Sequence, residues 1–160
     1  MKNLKVLMLN GSPHANGNTA VALREMEKVF MENDVAVETV LVGDKAVRGC
    51  AACNGCKKTG KCVFDDVVND VSPKFEAADG LVVASPVYYA SANATLIACL
   101  DRLFYSSSFD KAMKVGASIV TKSSKNRRTK KDSVKTLSST LNSLNTAVLR
   151  TAVSVSVLTV

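Results

Sequence analysis

The sequence predicts an α/β protein on a doubly wound parallel sheet, a three-layer α/β/α sandwich. Two observations carry that reading. Short apolar runs alternate with segments of helical spacing in the order strand, helix, strand, helix, strand, helix, strand, the pattern of a parallel sheet with helices on both faces. The chain has 160 residues, 47% of them hydrophobic, enough for one domain with a real core. Right-handed crossovers then leave the doubly wound sheet as the leading topology.

The elements follow in order. LKVLML (4–9) is a nearly continuous apolar run, as a strand buried on both faces requires. The turn-rich stretch NGSPHANGNT leads into a helix with Ala22, Met26, Val29 and Phe30 on one face and Arg24, Glu25, Lys28 and Glu32 largely away from it. Asn18 or Thr19 is the expected cap. VAVETVLV (35–42) is the second strand, 65–79 the next helix, and LVVAS (81–85) the third strand. From Asn93 to Tyr105 a helix carries Leu96, Ile97, Leu100, Leu103 and Phe104 at helical spacing, and VGASIV (115–120) is the fourth strand. In such sheets ligands bind beyond the carboxyl ends of the strands, where strand order reverses. The loops after residues 9, 84 and 120 therefore matter most.

The first loop, Gly11 to Thr19, joins a buried strand to a helix N-terminus, where free N–H groups and the helix dipole favour an anion. Gly11 and Gly17 allow tight turning; Ser12, Asn18 and Thr19 offer side-chain donors. No Gly-Lys-Ser/Thr or Gly-x-Gly-x-x-Gly pattern is present. Hydroxyl and amide donors without a lysine suit a phosphomonoester such as that of a flavin; the plainer alternative is an ordinary capped turn. His14, the only histidine, is read first as a solvated loop residue, then as a phosphate contact, and last as a general base. In the second loop, Pro86 fixes the backbone while Ser85, Tyr88 and Tyr89 offer polar tips, the tyrosines on flat apolar bodies. Beside Val87 they suit an aromatic ring system, or else the tyrosines simply cover the sheet end.

Four of the five cysteines fall in CAACNGCKKTGKC (50–62), giving C-x2-C-x2-C-x5-C from Cys50, Cys53, Cys56 and Cys62. The close triplet suits three ligands of a cubane iron–sulfur cluster with a fourth cysteine nearby. Zinc and free thiols remain open, although structural zinc sites more often use two separated C-x2-C knuckles or include histidine. Gly49, Gly55 and Gly60 favour tight folding around a centre, and Lys57, Lys58 and Lys61 offset thiolate charge. Cys99, on an apolar helix face, reads as a buried small hydrophobe. No apolar run reaches the ~20 residues that span a bilayer, and no export signal is recognisable. A reducing, cytoplasmic setting is expected, which favours ligand or redox cysteines over structural disulfides.

The net charge of +7 lies entirely in residues 121–160, where eight basic residues face Asp132 alone. That stretch holds 15 Ser or Thr and no Gly, Pro, Cys or aromatic residue. The chain therefore divides into 1–121, with a cysteine-rich insertion at 48–64, and an atypical basic tail at 122–160. Two readings of the tail stand. In one it is a divergent ending, with Val134, Leu137, Leu141, Leu144 and Val148 on a helix over 133–148 and VSVSVLTV as a fifth strand. In the other the gene shifts frame near codon 121. KSSKNRRTKK reads as a solvated loop rather than a specific nucleic-acid arm, since the domain before it is neutral and no base-reading module is visible.

GSPHANGNT, CAACNGCKKTGKC, SPVYYASAN and the Leu100-Asp101-Arg102 segment together resemble the flavodoxin-like NADPH-dependent FMN reductases, and among them the iron–sulfur flavoprotein branch. The resemblance covers roughly residues 1–120. It implies a flavodoxin-like fold, with Ser12, Asn18 and Thr19 around the FMN phosphate, Gly17 permitting the approach and His14 a weak further contact. It further implies that Pro86, Val87, Tyr88 and Tyr89, following Ser85, line the flavin ring. The four motif cysteines would hold a 4Fe–4S cluster. NAD(P)H would be the donor, a small molecule or protein the redox partner, and a homodimer or homotetramer the assembly. No catalytic Cys–His or Ser–His–Asp set is needed. The rival reading is a domain that takes up FMN, or only a metal, without turnover because its ending is aberrant.

Overall fold

The computed structural model describes residues 4–89, 91–111, 114–122 and 158–159. In chain order the elements are β1 (Lys5–Asn10), α1 (Asn18–Glu32), β2 (Ala36–Leu41), α2 (Cys56–Thr59), α3 (Val67–Ala77), β3 (Gly80–Pro86), α4 (Ala94–Ser106), β4 (Val115–Lys122) and β5 (Leu158–Thr159). The strands lie in the order β2-β1-β3-β4-β5, and every pair is parallel. Their carboxyl ends therefore share one rim. From β1 the chain steps outward to β2 and then back across β1 to β3, so the order reverses between β1 and β3.

Period-two alternation along the central strands sorts the core into two layers. Leu7 and Leu9 of β1 and Leu81 of β3 join Val68, Val71 and Phe75 of α3 and Leu96, Cys99 and Leu103 of α4 on one face. Met8, Val82 and Ala84 point the other way, against Ala22, Leu23 and Met26 of α1, with Ile119 of β4. Both faces of β1 and β3 are covered, which is why those runs are almost wholly apolar. β2 is the edge strand and only half-buried; its Glu38 carboxylate holds Lys5 at 3.0 Å and Lys74 at 2.6 Å.

Three local expectations are corrected. Gly17, not Asn18 or Thr19, is the N-cap of α1, and no side chain caps it. Thr19 instead turns inward, 1% exposed, to pair with Thr121. The buried face of α4 is narrower than expected: Leu96, Cys99 and Leu103 are inside with Arg102, whereas Ile97 and Phe104 are 42% and 46% exposed. A hydrogen-bonded Arg102 takes an inward position that spacing alone assigned to hydrocarbon. Finally, α3 begins at Val67 because the Asp66 carboxylate accepts the Val68 N–H at 3.1 Å, a side-chain cap at the true N-terminus.

The strand expected from VSVSVLTV is represented by Leu158–Thr159, in register with Thr121 and Lys122. The helix expected over 133–148, and the basic run apart from Lys122, lie outside the described residues. Among those described, no helix is long and apolar enough to cross a membrane.

Candidate functional site

Two loops meet at the β1/β3 switch point and are tied together by main-chain bonds. The Gly11 N–H donates to the Ala84 carbonyl at 2.7 Å, and Val42 and Gly43 both donate to the Asn10 carbonyl at 2.8 and 3.0 Å. Within the first loop the Asn10 side chain accepts the Ser12 N–H at 2.9 Å, and the Ser12 hydroxyl oxygen accepts the His14 N–H at 3.1 Å. Gly17 N–H closes the turn on the His14 carbonyl at 3.1 Å. Ser12 is buried, while His14 and Asn18 are exposed on the same loop. These bonds use the Ser12 hydroxyl oxygen as an acceptor, and the first-turn N–H groups of α1 have no acceptor within the helix.

Two glycines are required here by close approach. A Cβ on Gly11 would lie 2.7 Å from Leu96 Cδ2, and one on Gly43 would lie 2.3 Å from the Gly11 carbonyl oxygen. Gly43 was not singled out by the sequence; only its place just beyond β2 hints that the chain must pass under the first loop.

The second loop is braced from within. Ser85 Oγ donates to the Pro86 carbonyl at 3.0 Å and accepts the Asn93 N–H at 2.8 Å. The expectation that Ser85 presents a polar tip is therefore corrected: it is 3% exposed and holds the loop closed. Val87 N–H donates to the Thr121 carbonyl at 2.8 Å, and Thr121 Oγ1 lies 2.8 Å from Thr19 Oγ1. Thr121 thus links both loops through the end of β4, a role visible in the sequence only as a polar residue ending an apolar strand. Tyr88 and Tyr89 are 64% and 93% exposed, so they do not cover the sheet end; both follow Pro86 and Val87 on the outside of the loop.

The cysteine segment leaves the same rim after β2 and returns at the N-terminus of α3. Cys50, Cys53, Cys56 and Cys62 line one depression of about 300 Å³, open space to solvent included, with Phe64, Arg102 and Tyr105. All are free thiols. The backbone around Cys53 is left-handed at Ala52 (φ 51°) and Asn54 (φ 58°), which costs about 1–2 kcal/mol at the alanine. Gly60, at φ 70°, ends α2 by donating to the Cys56 carbonyl. Gly55 serves by close approach instead, a Cβ there falling 2.4 Å from Val63 Cγ1, and Gly49 meets nothing.

One end of this segment is firmly held. Asn69 accepts the Cys62 N–H at 3.0 Å and donates to the carbonyls of Cys62 and Phe64, each at 3.1 Å. Arg102, 1% exposed, donates from Nε and Nη2 to Cys62 Sγ at 3.3 and 3.2 Å. Its fork engages Asp66 at 2.6 and 3.0 Å. It also reaches the Arg48 and Phe64 carbonyls. Burial opposes the Arg102 charge, but Asp66 and Cys62 together outweigh it and hold the guanidinium pKa above its ordinary value. Arg48 and Arg102 each stack on the Phe64 ring, at 4.4 and 5.2 Å. The sequence singled out Arg102 only within the Leu100-Asp101-Arg102 segment, not its contacts, and held no sign of Asp66 or Asn69; the available signal was an arginine one residue from Leu103 on a helix face that also holds Leu96 and Cys99. Cys99 itself is fully buried, as expected.

Among the described residues no three metal-ligating side chains are gathered closely enough to hold an ion. By donor type, four thiols without carboxylate or imidazole in the lining suit a soft, thiolate-bound centre.

The family model described as NADPH-dependent FMN reductase matches residues 4–158. An iron–sulfur flavoprotein of Methanocaldococcus jannaschii is 36% identical over 99 residues, 62% of this chain and 51% of that protein. One of Methanosarcina thermophila is 33% identical over 125 residues, 77% of this chain and 65% of that protein. The chain thus spans about half to two-thirds of the length of these relatives. Among solved structures, an NADH:FMN oxidoreductase in its apo form superposes with a TM-score of 0.57 at 24% identity, covering 77% of this chain and 60% of that one. An NAD(P)H:quinone oxidoreductase from Methanothermobacter marburgensis does so at 0.58 and 14%, covering 90% and 76%. These likenesses establish the flavodoxin-like fold. With the family model spanning nearly the whole sequence, the chain belongs to the NADPH-dependent FMN reductase family.

Proposed function

We propose that the protein is an FMN-dependent oxidoreductase of the iron–sulfur flavoprotein type, passing electrons between a reduced nicotinamide donor, FMN and a 4Fe–4S cluster. The observation that carries this reading is the pairing, at one rim of the sheet, of a built anion loop at the switch point with a four-thiol depression. When bound, FMN exchanges electrons in pairs or singly and an iron–sulfur cluster singly, so a protein with both joins two-electron donors to one-electron acceptors.

The chain's own residues supply binding and orientation. The Ser12 hydroxyl, the Asn18 amide and the first N–H groups of α1 are the phosphate donors, with Gly17 admitting close approach and exposed His14 at the margin. Thr19 acts at second hand, fixing the start of α1 to Thr121. Pro86, Val87, Tyr88 and Tyr89 offer the surface for the flavin ring, held in shape by Ser85 and Asn93. Cys50, Cys53, Cys56 and Cys62 are the cluster ligands. The exposed tyrosines suit coverage by a second copy in a homodimer or homotetramer, and the acceptor is a small molecule or protein redox partner.

Stopped-flow mixing of the anaerobic, cofactor-loaded protein with NADH or NADPH tests the reading. Flavin absorption should bleach first, with the broad cluster absorption following. Loaded protein that stays oxidised with both nucleotides, yet reduces with dithionite, would remove the nicotinamide donor. Failure to load FMN would remove the function.

A further inference from the structure

We infer that Arg102 is a positioning residue that sets the reduction potential of the thiolate-bound centre through Cys62. The inference rests on the cluster reading above. Its observation is independent: two N–H groups of one fully buried guanidinium point at a single cysteine sulfur, at 3.2 and 3.3 Å. Among the described residues the other three motif cysteines have no such donor. Ala52 N–H reaches Cys50 Sγ at 3.4 Å, but that is a neutral contact on an exposed residue.

The guanidinium is also fixed. Its fork is gripped by Asp66 at 2.6 and 3.0 Å, and Asp66 is itself fixed by capping α3 through Val68. Phe64 covers one face of the arginine at 5.2 Å. A planar fork so held cannot swing to water, and lysine would not reproduce it.

The physics gives a sign. Reduction of a thiolate-ligated centre by one electron adds one negative charge. Hydrogen bonds to the ligand sulfur, and a nearby positive charge, favour the more negative state and raise the potential. The Asp66 carboxylate opposes this by neutralising part of the Arg102 charge. The two partners should therefore move the potential in opposite directions, which a purely structural brace would not do.

The test uses the full chain, loaded anaerobically with iron, sulfide and FMN, with potentials read by redox titration monitored by electron paramagnetic resonance. Arg102→Leu removes charge and donors. The ratio of reduced to oxidised cluster at a fixed potential should fall at least tenfold, a shift of about 59 mV to lower potential for a one-electron couple. Arg102→Lys keeps charge without the fork and should move it the same way by less. Asp66→Asn keeps the α3 cap, removes the opposing charge, and should shift it upward. If Arg102→Leu does not fold, the opposed signs of Arg102→Lys and Asp66→Asn decide. Unchanged or same-sign shifts in loaded variants overturn the inference and leave the proposed function standing. A wild-type chain that takes up no iron and sulfide overturns both.

Discussion

The two halves of the candidate site are built by different means. The switch-point loops are held by main-chain bonds to the central strands: Gly11 to Ala84, Gly43 to Asn10, Val87 to Thr121. The cysteine segment has no strand beneath it. It is fastened by side chains: Asn69, Asp66 and Arg102 hold the Cys62 end, Arg102 also reaches the Arg48 carbonyl and Tyr105 donates to Asn54 at 2.8 Å, while Cys50 and Cys53 are exposed. The first half is finished by folding of the sheet; the second rests on side chains reaching over from α3 and α4.

The largest effect that separates the halves should come from Gly43→Ala. Its new methyl would fall 2.3 Å from the Gly11 carbonyl oxygen, and overpacking against backbone costs roughly 3 kcal/mol. FMN affinity measured by fluorescence quenching should fall about 100-fold, while iron content per folded chain stays at the wild-type level. Equal losses of FMN and iron would show that the halves are not independent.

Asn69→Ala works on the other half. It removes the three bonds that fix Cys62 and Phe64 and should weaken that anchor by about 1–3 kcal/mol. Iron release to a chelator should accelerate, with FMN affinity unchanged. A chelation rate equal to wild type would place the anchor elsewhere.

The smallest effect concerns the layer beneath both halves. Burial, reinforced by Asp66 and opposed by Arg102, pushes the Cys99 thiol from 9.0 up to about 11. The protonated form is favoured in the fold, so its contribution is complete below about pH 9 and disappears as the pH rises toward 11. The stability difference between wild type and Cys99→Ala, from urea unfolding, should shrink over that window by at most about 3 kcal/mol. A pH-independent difference would mean the thiol titrates normally.

The sheet was legible because its signal is local: VLML and LVVA, between Lys5 and Asn10 and before Ser85, have no polar residue to place outside, as central strands require. The place of the first loop was legible for the same reason, lying between a buried strand and a helix. What could not be read depends on partners distant in sequence. Arg102 meets Cys62 and Asp66 across 40 and 36 positions, and periodicity cannot tell a buried arginine with a partner from a solvated one. Likewise Thr19 finds Thr121 across 102 positions, leaving Gly17 as the cap. Ser85 turned inward because the Asn93 N–H needed an acceptor, a demand that only the folded loop creates.

If the proposed function holds, one chain seats a flavin at the switch-point loops and closes four thiols around iron beside it. Cofactor content after anaerobic reconstitution decides this: about one FMN with about four iron and four sulfide per chain is expected, with Cys62→Ser losing the iron while keeping the flavin. Colourless protein, or a zinc-loaded chain without flavin, would refute it.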